Sequence, residues 1–144
     1  MAVVIGRGAP AQFEAILSFW VTAAEVASST DDLAGLNALW RHDPDALIVA
    51  TDGNDIVGSL IAGWDGWRAG FYRLAVHPDY RHQGIGRSLV KEGEDRLCSL
   101  GARRLSLFAV EAHAAAMAFW SSVGYRRDYD DVRFVQNLPP PVEN

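Results

Sequence analysis

FYRLAVHPDYRHQGIGRS, residues 71–88, is the stretch from which the rest of the chain is read. It opens as a strand, with Phe71, Tyr72, Leu74 and Val76 placing apolar and aromatic bulk around Arg73. His77-Pro78-Asp79 stops that strand, because proline cannot continue a ladder and aspartate favours turns. Arg81-His82-Gln83-Gly84-Ile85-Gly86 then leads directly into a periodic helix. A strand running through a glycine-bearing loop into a helix is a recipe for an anion site. The first N–H groups of a helix lack partners inside it, and the helix dipole adds partial positive charge there. Gly84 and Gly86 let backbone approach a diphosphate without an intervening Cβ, and Arg81 adds a fixed positive charge.

Three phosphate-binding patterns can be set against this loop. A dinucleotide fingerprint needs a third glycine, where Leu89 stands, and it needs to follow the first strand of its unit. A Walker loop needs Lys after its second glycine, and Gly86 is followed by Arg87. The third pattern is R-x-x-G-x-G behind a strand ending in Val-x-Pro. With strand, proline, arginine and both glycines in order, it resembles the acetyl-CoA-binding motif of the GNAT superfamily of N-acetyltransferases.

The 144 residues suit one domain, taken as 1–138 with a proline-rich tail at 139–144. That length buries about two-thirds of the unfolded surface. At 49% hydrophobic and 22% charged, the composition is that of a soluble globular protein. A net charge of −5, with no long basic run, argues against nucleic acid as a partner. No apolar run reaches membrane-spanning length, and no signal peptide is read at the start. One cysteine, Cys98, cannot form an internal disulfide and fits a reducing compartment, so the cytoplasm is the expected location. Histidines 42, 77, 82 and 113 share no metal-ligand spacing, and no metal is expected.

Met1 to Gly6 reads as a first strand. Pro10 suits the start of a helix whose apolar residues Phe13, Ile16, Leu17, Trp20, Val21 and Ala24 keep helical spacing up to Val26. Ser29 or Thr30 can cap a second helix, with Asp31 and Asp32 in its first turn and Leu33, Leu36, Leu39 and Trp40 on its apolar face. Ala46–Thr51 and Ile56–Ala62 form a hairpin around Asp52-Gly53-Asn54. Trp64-Asp65-Gly66-Trp67 turns the chain into the strand at Phe71. Gly93 inside the long helix after the glycine loop implies close packing onto the sheet, and Gly101 stops that helix. Arg104–Val110 alternates as a strand, and His113–Val123 is a last helix ended by Gly124. Tyr125–Tyr129 and Val132–Asn137 read as a closing hairpin around Asp130-Asp131.

That order is an α/β arrangement, and it is similar to the GNAT fold from end to end. The resemblance implies a mixed, mostly antiparallel central sheet of about seven strands, splayed between the fourth and fifth strands and flanked by four helices. It implies acetyl-CoA as co-substrate, with its pantetheine in the splay. Leu74, Ala75 and Val76 would offer backbone groups to the pantetheine amides. Gln83, Gly84, Ile85, Gly86, Arg87 and Ser88 would offer backbone N–H groups to the pyrophosphate, with Arg81 beside them. In the last helix the family motif N-x-x-A-x-x-x-Y-x-x-x-G-F is read here as His113, Ala116, Trp120, Gly124 and Tyr125. His113 thus stands at the cofactor-facing asparagine. Trp120 stands at the tyrosine that protonates the leaving thiolate, and indole has no acidic proton near neutral pH.

The implied reaction moves an acetyl group to a primary amine of a small molecule, peptide or protein. An alternative is a binding module that keeps the acyl-CoA site without turnover, and a homodimer is left open. A backbone N–H near Leu74 to Val76 would stabilise the oxyanion. No general base is assigned. Phe108 occupies one strand position where family members carry glutamate; Glu25, Glu111, Tyr72 and His77 are the candidates for the base, and Tyr72, Glu111 and Trp120 are the candidate catalytic residues. Asp128, Asp130 and Asp131 on the hairpin, with Glu25, Asp31 and Asp32, form an acid-rich set that would steer a cationic acceptor.

Overall fold

Three strands with near-continuous apolar runs build the centre of this computed structural model, which describes residues 2–23 and 28–139. They are β2 (Leu47–Asp52), β3 (Asp55–Trp64) and β4 (Ala69–Val76). β1 (Val3–Arg7) pairs with β2, and β5 (Leu105–Leu107) pairs with β4, giving the sheet order β1-β2-β3-β4-β5. All neighbours are antiparallel except β4 and β5, which are parallel. The helices are α1 (Phe13–Ala23), α2 (Leu33–His42), α3 (Ile85–Ser99) and α4 (Ala114–Ser122). The chain forms two compact units, Met1–Phe108 and Ala109–Asn144. No helix among the described residues is long and apolar enough to cross a membrane.

Each face of the sheet in the first unit carries its own core. On one face α1 buries Phe13, Ile16, Phe19 and Trp20 against Leu36 of α2, Leu47 and Val49 of β2, Ile56 of β3 and Ala75 of β4. The other face receives α3 through Ile85, Leu89, Val90 and Leu97. Gly93 is the close-approach point expected from its place mid-helix. A Cβ there would lie 2.7 Å from Phe71 Cε1 and 2.9 Å from Leu60 Cδ2. The helix axis therefore sits close to β3 and β4 because residue 93 has no side chain. Arg96 locks the far end of α3, donating to the Ala62 carbonyl at 3.3 Å and pairing with Asp43 just after α2.

Several local expectations shift. Pro10 opens a 3₁₀ turn, Pro10–Gln12, that hands the chain to α1 at Phe13. The expected continuation of α1 over residues 24–27 lies outside the described residues, as do residues 140–144 of the tail. Asp32, not Ser29 or Thr30, caps α2, accepting from the Gly35 N–H at 2.7 Å. β5 is shorter than the expected Arg104–Val110.

The larger correction concerns the strand count, which is five among the described residues where about seven were expected. The missing pair is the closing hairpin, since neither Tyr125–Tyr129 nor Val132–Asn137 enters a ladder. A tight two-residue hairpin wants positive φ at its corner, which Asn-Gly supplies and Asp-Asp does not. Here the Asp128 carboxylate takes the Asp130 N–H at 3.0 Å, a local side-chain turn that competes with strand pairing. Alternating hydrophobicity is not sufficient to form strands there.

The Gly93 contact makes a stability prediction. Gly93→Ala gains helix propensity of about 1 kcal/mol but forces a methyl into Phe71 and Leu60. Overpacking of this kind costs about 1–3 kcal/mol, so the variant should lower the urea midpoint with an unchanged slope.

Candidate functional site

The ladder between β3 and β4 carries an irregularity that shapes the site. Ser59 pairs with Ala75 and Ile61 with Tyr72, so Arg73 and Leu74 together face the single Leu60. This is a β-bulge, and Arg73 takes up the bend with φ 55°, a conformation uncommon for a residue with a side chain. The bulge also reverses the strand's alternation. Phe71 and Tyr72 point to opposite faces as usual, yet Ala75, three residues after Tyr72, joins the α1 core that Tyr72's own face overlies.

Two arms hold the strained residue. Trp20 Nε1 of α1 donates to Ser59 Oγ at 2.8 Å, and Ser59 Oγ donates to the Arg73 carbonyl at 2.7 Å. Ser59 is fully buried, and its hydroxyl is satisfied from both sides. The Arg73 side chain reaches Asp31 with two bonds, Nε to Oδ1 at 2.9 Å and Nη2 to Oδ2 at 2.5 Å, and its guanidinium lies 5.7 Å from the Trp20 ring centroid. The bulge is thus tied to α1 by a neutral chain and to the turn before α2 by a charged fork.

Beyond the bulge, the sheet opens. The β4–β5 ladder consists of Ala69↔Leu105, Gly70↔Ser106 and Phe71↔Leu107, while β4 continues to Val76. The edge of β4 from Tyr72 onward therefore faces away from any β5 rung, which places the expected splay after Phe71. Arg81 folds back onto the end of β4, its Nε donating to the Val76 carbonyl at 3.2 Å.

The glycine loop adjoins this edge. His82 (φ 62°) and Gly84 (φ 80°) are both left-handed, and Gly84 is the N-cap of α3. Gly84 needs to be glycine for its backbone, since a Cβ there would meet nothing within 4 Å. No side chain among the described residues caps α3 and no acid sits in its first turn. The N–H groups of Ile85, Gly86 and Arg87 stand ahead of the first internal bond, Ser88 N–H to the Gly84 carbonyl at 3.0 Å. Such a start suits an anion. Gln83, Arg87 and Ser88 are exposed, whereas the Ile85 side chain is buried in the α3 core, leaving Ile85 only its backbone to offer.

A cavity of about 270 Å³ lies at the last rungs of the β4–β5 ladder, lined among others by Asp65, Arg68, Tyr72, Ser106 and Phe108. Gly63 and Gly70 make room for the Tyr72 ring: a Cβ at Gly70 would approach Tyr72 Oη to 3.2 Å. Asp65 accepts from the Arg68 and Trp67 N–H groups at 2.6 and 2.8 Å, and those donors hold its carboxyl below the usual carboxylate range. Asp65 thus brings a negative charge to the cavity wall, beside the positive charge of Arg68.

The remaining candidates are differently engaged. His77 Nδ1 accepts from the Asp79 N–H at 3.1 Å, so that nitrogen is committed to the turn. Asp31 is paired with Arg73, and Asp32 accepts from the Gly35 N–H at the cap of α2. Glu25 lies outside the described residues. In the second unit His113 is the N-cap position of α4, and Trp120 stacks edge-on with Phe119 and Tyr125 at 5.2 and 5.1 Å between centroids. Glu111 accepts from Arg127 at 2.8 Å, and this bond raises the Arg127 pKa. Ser59, Trp20 and Arg73 escaped the sequence reading. Their signal was a lone hydroxyl in the apolar run Val57-Gly58-Ser59-Leu60-Ile61.

A mixed sheet that opens beside an uncapped, glycine-led helix defines an α/β protein in which a strand edge leads to a helix start that suits an anion. A profile of the acetyltransferase (GNAT) family matches residues 13–125, and the chain belongs to that family. An acetyltransferase of Pectobacterium atrosepticum is 32% identical over 113 residues, covering 78% of this chain and 80% of that protein. PaiA N-acetyltransferase from Thermoplasma acidophilum, solved in complex with coenzyme A, superposes with a TM-score of 0.77 at 18% identity, covering 91% of this chain and 94% of the other. The ribosomal-protein-S18-alanine N-acetyltransferase from Escherichia coli gives 0.68 at 22% identity, covering 85% and 77%. Both structural similarities express the shared fold.

The Arg73–Asp31 fork is mostly sheltered, each side chain being 18% exposed. Asp31→Asn keeps the shape but removes the charge, and the loss of a charge-assisted pair of this exposure should cost about 1–2 kcal/mol. Denaturant titration of the two proteins checks it.

Proposed function

We propose that this chain transfers the acetyl group of acetyl-CoA to a primary amine carried by a small molecule or by a peptide or protein. The observation that carries the reading is a coincidence in space. β4 loses its β5 neighbour after Phe71 and runs on to Val76, and the loop that follows opens α3 with no side-chain cap. A strand edge able to bond an extended amide chain thus leads to a helix start able to bond a diphosphate. Coenzyme A carries both groups in that order, and a solved protein of this fold holds it.

On this reading the backbone of Leu74, Ala75 and Val76 binds the pantetheine amides. The N–H groups from Gln83 to Ser88 bind the pyrophosphate, and the Arg81 and Arg87 cations lie near enough in sequence to favour it. His113 and Trp120 are assigned to the cofactor by their register in the family motif. The 270 Å³ cavity takes the acceptor. Its Asp65 carboxylate, beside the Arg68 cation, offers an acceptor for the amine's N–H groups, and Tyr72 and Phe108 offer aromatic faces to the acceptor's body. Exposed Cys98, a free thiol, suits a reducing cytoplasm.

The chemistry asks for few side chains. The amine, bound as its ammonium, first gives one proton to water; its lone pair then forms the C–N bond, and the carbonyl electrons move onto oxygen. A backbone N–H on the bulged strand stabilises that oxyanion. Collapse breaks the C–S bond and the electron pair leaves on sulfur. The second proton lost by nitrogen passes to water, with the exposed Tyr72 hydroxyl as the relay at the cavity wall. Coenzyme A thiolate needs no dedicated acid, since a free thiol has a pKa of about 8.5. Tryptophan at position 120 is therefore compatible with turnover.

Gly86→Glu tests the binding half of this reading. A carboxylate at the start of α3 repels diphosphate, and coenzyme A affinity by calorimetry should fall at least about a hundredfold, near 3 kcal/mol, while the circular dichroism spectrum is kept. Unchanged affinity would remove the reading. The catalytic half is tested by thioester consumption over a panel of amines. Trp120→Phe should retain most of the turnover, because the indole supplies packing and not a proton. If instead Trp120→Tyr raises turnover about tenfold, worth about 1.4 kcal/mol of barrier, the natural chain is a binder of acyl-CoA first and an enzyme second.

A further inference from the structure

The buried chain Trp20–Ser59–Arg73 does more than fasten two strands. Ser59 Oγ donates to the Arg73 carbonyl at 2.7 Å, so that carbonyl is aimed at β3 and at the face covered by α1. Every peptide bond among the described residues is trans, and in a planar trans peptide the C=O and the following N–H point in opposite directions. The N–H of Leu74 is therefore aimed away from β3 and away from α1. It points to the side of β4 where the β5 ladder has already ended at Phe71. The direction of this donor depends on one hydroxyl, because Arg73 is left-handed (φ 55°) and its bulge removes Leu74 from the regular β3 register.

Ser59 is itself held in place. It is fully buried, and its oxygen accepts from Trp20 Nε1 at 2.8 Å, which leaves the hydroxyl hydrogen free to turn only to the Arg73 carbonyl. Trp20 is 5% exposed and packed in the α1 core, so the chain is anchored in the buried core of the first unit. An apolar residue at 59 would leave both the Trp20 N–H and the Arg73 carbonyl without this partner. A buried hydroxyl bonded on both sides costs desolvation and returns direction.

We infer that Ser59, oriented by Trp20, is a positioning residue for acetyl transfer: it sets the Arg73–Leu74 peptide so that the Leu74 N–H meets the thioester carbonyl oxygen. This rests on the acetyl-CoA reading above and adds the residues that aim its oxyanion donor. The donor itself is backbone, so no side-chain substitution removes it. Its aim, however, can be spoiled, and a misplaced donor costs about 10- to 100-fold in rate.

The test uses the whole chain with acetyl-CoA carrying ¹³C at the acetyl carbonyl. Infrared difference spectra report the C=O stretch of the bound thioester, which moves to lower wavenumber when a hydrogen bond polarises it. In the natural protein the bound band should lie below that of free acetyl-CoA. In Ser59→Ala and in Trp20→Phe it should move back toward the free position. In both variants kcat should fall about tenfold or more, and KM for acetyl-CoA should change less than about threefold, because the other contacts to the cofactor remain. Ser59→Thr, which keeps the hydroxyl, should keep the shifted band. Should Ser59→Ala fail to fold, Trp20→Phe decides, since it keeps an aromatic side chain in the α1 core while removing the donor that orients Ser59. Acetyl-CoA bound with the same band and the same kcat in the variants overturns the positioning role and leaves the acetyltransferase reading intact. Absence of acetyl-CoA binding in the natural protein overturns both.

Discussion

The rest of the structure depends on one hydroxyl group that is wholly withdrawn from water. Ser59 links the indole of Trp20 to the Arg73 carbonyl, and through them it joins α1, β3 and β4 at the point where β4 bulges. A left-handed arginine in mid-strand is costly unless its surroundings hold it. Here the carbonyl is held by Ser59 and the side chain by the carboxylate of Asp31. Because the bulge reverses alternation, Ala75 fills the α1 core, and the backbone between Tyr72 and Ala75 is free to differ from its ladder. The irregularity belongs to the fold's design and is stabilised from two directions.

Small residues perform the complementary task of bringing elements close. Gly93 lets α3 settle onto Phe71 and Leu60, which fixes where the helix begins as well as where it ends. Its first turn then sits past the C-terminal end of β4, with Gly84 supplying the left-handed corner. Gly63 and Gly70 do the same on the opposite face, where the Tyr72 ring lies across the strands and opens a cavity. Packing thereby places an anion-ready helix start, an open strand edge and an acceptor-sized cavity around one short piece of β4.

Charge is distributed to match. A net charge of −5 would by itself argue against a polyphosphate ligand, yet α3 begins with no acid in its first turn. Acids that look available in the chain are occupied: Asp31 by Arg73, Asp32 by the N-terminus of α2, Asp43 by Arg96 and Asp52 by the Tyr80 hydroxyl at 2.6 Å. Asp32 and Asp65 both accept from backbone N–H groups, which stabilise a carboxylate's charge without cancelling it, and Asp65 lines the cavity together with Arg68.

Residues 71–88 by themselves determined the family, because local chemistry is written locally. The strand, the proline stop and the glycine corner require only neighbours in the chain, and the helix periods of α1 to α3 are equally local. The close approach at Gly93 was legible for the same reason, as a residue that costs a helix stability unless something is packed on it. Tertiary structure alone decided the rest. The bulge at Arg73 arises from pairing between β3 and β4, and Ser59 acts across 39 residues to Trp20, a contact no spacing rule encodes. Asp31 read as a surface acid until the fold brought Arg73 to it. The closing hairpin failed in the other direction: Val132 and Phe134 are spaced like one face of a strand, but a ladder needs a partner and a corner, and the Asp128 carboxylate makes a side-chain turn at Asp130 instead. Patterns that depend on a single segment can be read from it, whereas the direction of a donor is set by what the fold places on its other side.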